Sequence, residues 1–175
     1  GSTSKPDKSA NEQAESENIQ IDRSNYQTIF TLDEWSSVVS QVKQAGLIAF
    51  DTETTSLDYM DAKLVGISLA YTFDDQIKAV YVPLGHDYEG APTQIAIEEF
   101  LPSLKTILAD PNIKKVGQNL KYDINVLAKY DVLVDGIVGD TMLQSYIFNS
   151  TATRHDMDSL SLKYLGHKTV SFEDI

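Results

Sequence analysis

Asp51 and Glu53 are the first residues from which chemistry can be argued. They follow the apolar run Leu47-Ile-Ala-Phe50, with one residue between them. In an extended chain, residues two apart project to the same side. Two carboxylates at a strand's end can therefore share one cation or a pair of cations. Hard divalent ions such as Mg²⁺ prefer oxygen donors and take few of them from protein. Two solvated acids at a strand exit have the same spelling, and short motifs recur by chance. Asp123 adds a stronger constraint. Leu120, Ile124 and Leu127 form an i, i+4, i+7 stripe, and Asp123 falls within about 60° of Leu120 on the helical wheel. An ionised acid on the core side of a helix is costly unless it is paired or bound to metal. Asn119, four residues earlier, is read onto the same side, and a cap or a neighbouring lysine such as Lys121 would also satisfy the charge.

Alternating strands and helices must position these acids. Thr31 and Glu34 read as a capping box, opening a helix with Leu32, Trp35, Val38, Val39 and Val42 on one face and Gly46 at its end. Leu47–Phe50 reads as a buried strand. Leu64–Tyr71 and Lys78–Val82 read as two more, joined by a polar turn at Asp74 and Asp75, with Pro83 following. Thr93 is placed as the cap of a helix through Phe100 that kinks or restarts at Pro102, its apolar spacing running on to Leu108. A strand at Lys114–Gly117, a helix at Asn119–Tyr130 and a strand at Val132–Val138 broken by Gly136 come next. Helices at Thr141–Phe148, capped by Asp140, and at Ser159–Leu165, closed by Gly166, complete the order. The pattern implies a mixed central sheet with helices on its faces, an α/β fold.

The totals agree with one globular domain: 175 residues, 42% of them hydrophobic. There are no cysteines, which excludes disulfides and thiolate metal sites and leaves oxygen or imidazole donors. No run of eighteen apolar residues exists, and no apolar signal region opens the chain, so neither a membrane span nor export is expected. A net charge of −12 runs against the basic surface that nucleic-acid binding favours, unless part of it holds cations. Residues 1–20 are polar and expected to be an unstructured linker, with Gly1-Ser2 an expression remnant; residues 21–175 are expected to be the domain.

Longer strings narrow the reading. Phe50-Asp-Thr-Glu-Thr-Thr-Ser-Leu57 resembles the first motif of the DEDD exonuclease superfamily. Val116-Gly-Gln-Asn-Leu-Lys-Tyr-Asp123 closely resembles the second, as written in the 3′–5′ proofreading exonuclease domain of bacterial DNA polymerase I. Arg154-His-Asp-Met-Asp-Ser-Leu160 and Lys163-Tyr-Leu-Gly-His-Lys168 are similar to the same family. The resemblance implies a ribonuclease H-like fold and hydrolysis of the 3′-terminal phosphodiester of DNA by two divalent cations, Mg²⁺ with Mn²⁺ or Zn²⁺ as substitutes. It implies that Asp51 bridges both metals, Glu53 holds the water-activating one and Asp123 supports the other. Leu57 would wedge against the terminal base, the Thr54 backbone would meet the 3′ end, and Asn119 and Tyr122 would line a single-strand groove. Arg154 would contact phosphate, or else join a surface salt bridge.

The implied partners are a single-stranded DNA 3′ end and a polymerase domain of the same parent chain, in the bacterial cytoplasm. The family's third motif, a Tyr with an Asp four residues on, is expected beyond Ile175. Asp156, Asp158 and Asp174 lack that setting. The domain is therefore expected to be incomplete at its C-terminus and the fragment poorly active. A stand-alone DEDD nuclease acting on RNA 3′ ends and an inactive scaffold for a polymerase are the competing readings. His86, His155 and His167 are expected to be solvent-exposed.

Overall fold

The computed structural model describes residues 25–151 and 154–165. The expectations for residues 1–20, Gly166, His167 and Asp174 lie outside them. Eleven elements follow in order among the described residues: β1 (Tyr26–Thr28), α1 (Leu32–Ala45), β2 (Leu47–Thr54), β3 (Leu64–Phe73), β4 (Gln76–Pro83), α2 (Ile97–Leu108), β5 (Lys114–Gly117), α3 (Leu120–Ala128), β6 (Ile137–Asp140), α4 (Thr141–Phe148) and α5 (Met157–Leu165).

One six-stranded mixed sheet has the order β1-β4-β3-β2-β5-β6. β2, β3 and β4 form an antiparallel meander. β1 joins β4 in parallel, and β5 and β6 continue in parallel from β2. Alternation along the strands divides the sheet into two faces. On one face the registers Phe50↔Leu69↔Val80 and Thr52↔Ile67↔Val82 align. These residues lie under α1, α2 and α3, sharing a core with Trp35, Val38, Val42, Phe100, Leu104, Leu120 and Leu127. Trp35 stacks on Phe100, with ring centroids 4.6 Å apart, and its indole N–H donates to Ser103 Oγ at 2.6 Å. On the other face the rows read Ala49↔Ala70↔Ala79 and Asp51↔Ser68↔Tyr81.

α1 forms as its sequence predicts. Thr31 accepts from the Glu34 N–H, Glu34 accepts back from the Thr31 N–H, and Gly46 closes the helix at φ 68°. Leu32, expected on the buried face, is exposed instead. Asp74 and Asp75 both take positive φ, as the tight turn between β3 and β4 requires.

Several expectations are corrected. Thr93 caps nothing; α2 starts later, at Ile97, behind Ala96 and without a side-chain cap. Pro102 does not restart α2, which runs unbroken from Ile97 to Leu108 with the proline inside it. Its ring faces solvent one turn in, so the helix forfeits a single backbone bond, to the exposed Glu98. Val132–Val138 is not one strand. Gly136 turns the chain at φ 72°, where a Cβ would meet the Ile113 carbonyl at 2.9 Å, and β6 starts only after it. α3 ends at Ala128 rather than Tyr130. The three residues of β1 are all exposed at the sheet edge, so no apolar alternation marks them.

Candidate active site

β2 runs on through the acids: Asp51 and Glu53 are part of the strand, on the face away from α1 and α2. Asp51 is half-buried and Glu53 exposed. A register shift between Glu53 and Thr54 bends the strand there. Bulges of this kind re-aim side chains beside sites.

β5 pairs with β2 only as far as Ala49↔Val116, and then the chain leaves the sheet to begin α3. That departure leaves the edge of β2 without a ladder partner, and Asp123 fills the gap. Its Oδ1 accepts from the Thr52 N–H at 2.9 Å and from Thr52 Oγ1 at 2.5 Å. Asp123 is only 2% exposed. Its polar satisfaction comes from a residue 71 positions away rather than from Asn119 or Lys121. Asn119 lies outside the helix, in left-handed backbone at φ 58°, and its side chain does not follow the i+4 alignment expected for it.

Asp140 holds the start of α3 in place. Its carboxylate accepts from the N–H groups of Asn119 (3.1 Å) and Leu120 (2.8 Å), and from those of Met142 (2.9 Å) and Leu143 (3.3 Å). The capping role expected for it at α4 is present, and it caps α3 as well.

The acids act on one another. Burial, then the charges of Asp123 and Glu53, push the Asp51 carboxyl up to about 7. Burial raises Asp123 too, with the Thr52 hydrogen bonds opposing and Asp140 adding to the rise. Among the described residues no Lys or Arg stands within ion-pair distance of Asp51, Glu53 or Asp123. No group of three His, Cys, Asp or Glu side chains is drawn together tightly enough to be a ready-made cation cage among those residues. The donor set nevertheless fits hard divalent ions. It offers carboxylate oxygens only, on one groove, with a mutual repulsion that a cation would relieve.

A groove of about 560 Å³ joins Asp51, Glu53 and Asp123 to Thr54, Leu57, Asn119 and Tyr122. Thr54 Oγ1 bonds the Tyr122 hydroxyl at 2.6 Å, and both reach the Ser56 carbonyl. Leu57 is 97% exposed at the rim, an apolar side chain with no apolar cover. Arg154 is not part of this groove. It pairs with Asp156 at 2.9 Å and borders a separate pocket with Ser145 and Lys163.

The sequence reading missed Gln118, which lines the groove and donates to the His155 carbonyl at 2.8 Å. Nothing in its local spelling sets it apart. Two histidines expected to be exposed are half-buried. His155 Nδ1 bonds Ser145 Oγ at 2.9 Å, and His86 Nε2 bonds the Tyr81 hydroxyl at 2.5 Å.

Residues 26–175 match a family model described as 3′–5′ exonuclease. DNA polymerase I of Pseudomonas aeruginosa is 47% identical over 170 residues, covering 96% of this chain and 18% of that protein. DNA polymerase I of Rhizobium leguminosarum is 43% identical over 174 residues, covering 90% of this chain and 17% of that one. This chain thus spans about a fifth of the length of these relatives. Among solved structures, the POL domain of Pol1 from M. smegmatis with DNA primer-template and dNTP superposes with a TM-score of 0.65 at 17% identity, over 85% of this chain and 24% of that one. Brucella melitensis NrnC with bound Mg²⁺ gives 0.59 at 18% identity, over 84% and 64%. Trypanosoma brucei RNase D gives 0.61 at 15% identity, over 83% and 49%. At these identities the structural matches speak for the fold.

Proposed function

Because this chain belongs to the 3′–5′ exonuclease family of DNA polymerase I, we propose that Asp51, Glu53 and Asp123 hold divalent cations, Mg²⁺ first, against the 3′-terminal phosphate of a single-stranded DNA end. The observation that carries this reading is the groove in which three mutually repelling carboxylates, without a cationic partner among the described residues, meet Thr54, Leu57, Asn119 and Tyr122. Bound there, the cations would generate a nucleophilic water and stabilise the leaving 3′ oxygen in an in-line displacement.

The chain's own residues supply position. Asp51 and Glu53 project from one strand face, so both reach the same side of the phosphate. Asp123 is locked by two bonds to Thr52, which fixes one carboxylate oxygen and orients the rest of the group. The bond between Tyr122 and Thr54 closes the groove floor beside the terminal nucleotide. Leu57, exposed at the rim, gives the last base an apolar surface to rest on. Arg154 acts from outside the groove, as a contact for the strand's more distant phosphates or only as the partner of Asp156.

None of these contacts reads base edges, so trimming is sequence-tolerant. With a net charge of −12, affinity for DNA has to come mainly from a linked polymerase domain through high effective concentration, which suits proofreading. The high identity to DNA polymerases favours DNA over RNA as substrate.

The test is trimming of matched 5′-labelled deoxyribo- and ribo-oligonucleotides with Mg²⁺ or Mn²⁺, by the wild type and Asp51→Asn. The reading expects 3′ trimming of the DNA strand, weak in this fragment, that disappears in the variant. Trimming that survives in Asp51→Asn would reject it, and a preference for the ribo-oligonucleotide would redirect it to RNA ends.

A further inference from the structure

The open face of the sheet carries a second polar assembly beside the acids. Ser68 pairs with Asp51 on one side and with Tyr81 on the other, so Asp51 and Tyr81 share one row across the sheet. Gly66 pairs with Glu53 in the adjacent row. Tyr81 leans along its strand into that row, and a Cβ at Gly66 would run into its hydroxyl. The missing side chain at position 66 is therefore what lets the Tyr81 hydroxyl lie directly across from Glu53. Cross-strand neighbours place their Cβ atoms about 5 Å apart, well within reach of a glutamate and a tyrosine.

The hydroxyl is held from the far side. His86 Nε2 stands 2.5 Å from it. The His86 main chain is clamped by Gln94, which accepts from the His86 N–H at 2.9 Å and donates to its carbonyl at 2.6 Å. Tyr88 packs edge-on against the same imidazole. Burial raises the Tyr81 phenol to about 12, and Glu53 is the charged group that adds most to the rise. An ordinary tyrosine phenol is a hydroxyl at working pH, so Tyr81 presents a donor facing an acid.

We propose that Tyr81, anchored by His86 and admitted by Gly66, is a positioning residue for Glu53. With His86 donating through Nε2, the Tyr81 oxygen accepts and its own O–H is left to donate toward the Glu53 carboxylate. Glu53 needs such a partner. It is exposed and repelled by Asp51 on the same strand face, and without a tether its side chain is free to turn into solvent rather than stay beside Asp51. The tether keeps both carboxylates turned to one cation.

This inference rests on the metal-binding reading above, and its test separates the two. Mn²⁺ affinity is measured by calorimetry for the wild type, Tyr81→Phe, His86→Gln, His86→Ala, Gly66→Ala and Asp51→Asn. Thermal unfolding is recorded beside it, and kcat and KM are measured for trimming of a single-stranded deoxyribo-oligonucleotide. Tyr81→Phe is expected to lower Mn²⁺ affinity and kcat by about tenfold, the usual scale for groups behind a metal ligand, with KM and the unfolding midpoint held. Gly66→Ala and His86→Ala should behave alike, and His86→Gln, which can still donate to the tyrosine oxygen, should recover most of the loss. Wild-type affinity and kcat in Tyr81→Phe would overturn the proposal, as would losses that only follow a lowered unfolding midpoint. An Asp51→Asn protein that binds Mn²⁺ like the wild type would instead overturn the functional reading, and this inference with it.

Discussion

On one side of β2, Ile48, Phe50 and Thr52 are buried beneath three helices, whereas Ala49, Asp51 and Glu53 on the other side face an open surface that includes Ser68, Ala70, Ala79 and Tyr81. The two sets alternate along the same few residues, so a single strand separates stability from chemistry by its pleat alone. The packed side holds the backbone still. The open side keeps Asp51 in a setting that disfavours its charge. Asp123 links the two: it sits on a core helix, is almost wholly buried, and yet ends beside Asp51.

The contrast can be broken most forcefully from the packed side. Phe100→Ala empties a fully buried site against Trp35 and is expected to cost about 3–5 kcal/mol, measured by urea unfolding. Metal affinity per folded molecule should stay unchanged. Asp123→Ala tests the link. It leaves the buried Thr52 N–H without a partner, which costs about 1–3 kcal/mol, and it should also weaken Mn²⁺ binding, so both measurements must move.

Asp51→Asn tests the open side and should have the opposite sign on stability. The Asp51 carboxyl is raised from 3.8 to about 7 on folding, so the folded state binds the extra proton. The stability tied to that proton is fully present below 3.8 and is lost as pH rises through about 7. Asn removes the charge, so in metal-free buffer at pH 8 the variant should gain about 1 kcal/mol, a figure kept small because water reaches the group. At pH 4 it should gain almost nothing, and saturating Mg²⁺ should reverse the order at pH 8. Thermal unfolding across pH reads this out. The smallest effect belongs to Leu57→Ala at the exposed rim, where stability should move by less than about 0.5 kcal/mol while KM for a single-stranded oligonucleotide rises.

Local features were legible in the sequence because their causes are local. The Thr31–Glu34 box, the apolar run before Asp51, the shared side of Asp51 and Glu53, and the Asp140 cap all depend on neighbours within a few residues. Thr93 misled because a capping residue type does not fix which residue starts a helix. Val132–Val138 misled because an apolar run can pack without pairing. The partners that complete the site were hidden by distance along the chain. Thr52 meets Asp123 across 71 positions, and Asp140 reaches α3 across 20. Tyr81 reaches the Glu53 row only because residue 66, on the intervening strand, is glycine. No periodicity encodes a contact of that kind.

Whether Asp51, Glu53 and Asp123 hold cations together is tested most directly by a calorimetric Mn²⁺ titration of the wild type beside Asp51→Asn at pH 8. Saturable binding by the wild type is expected, weakened about 10- to 100-fold or more in the variant, because the carboxylate pressed by both other acids is the one removed. Equal binding by the two proteins, or none by the wild type, would contradict it.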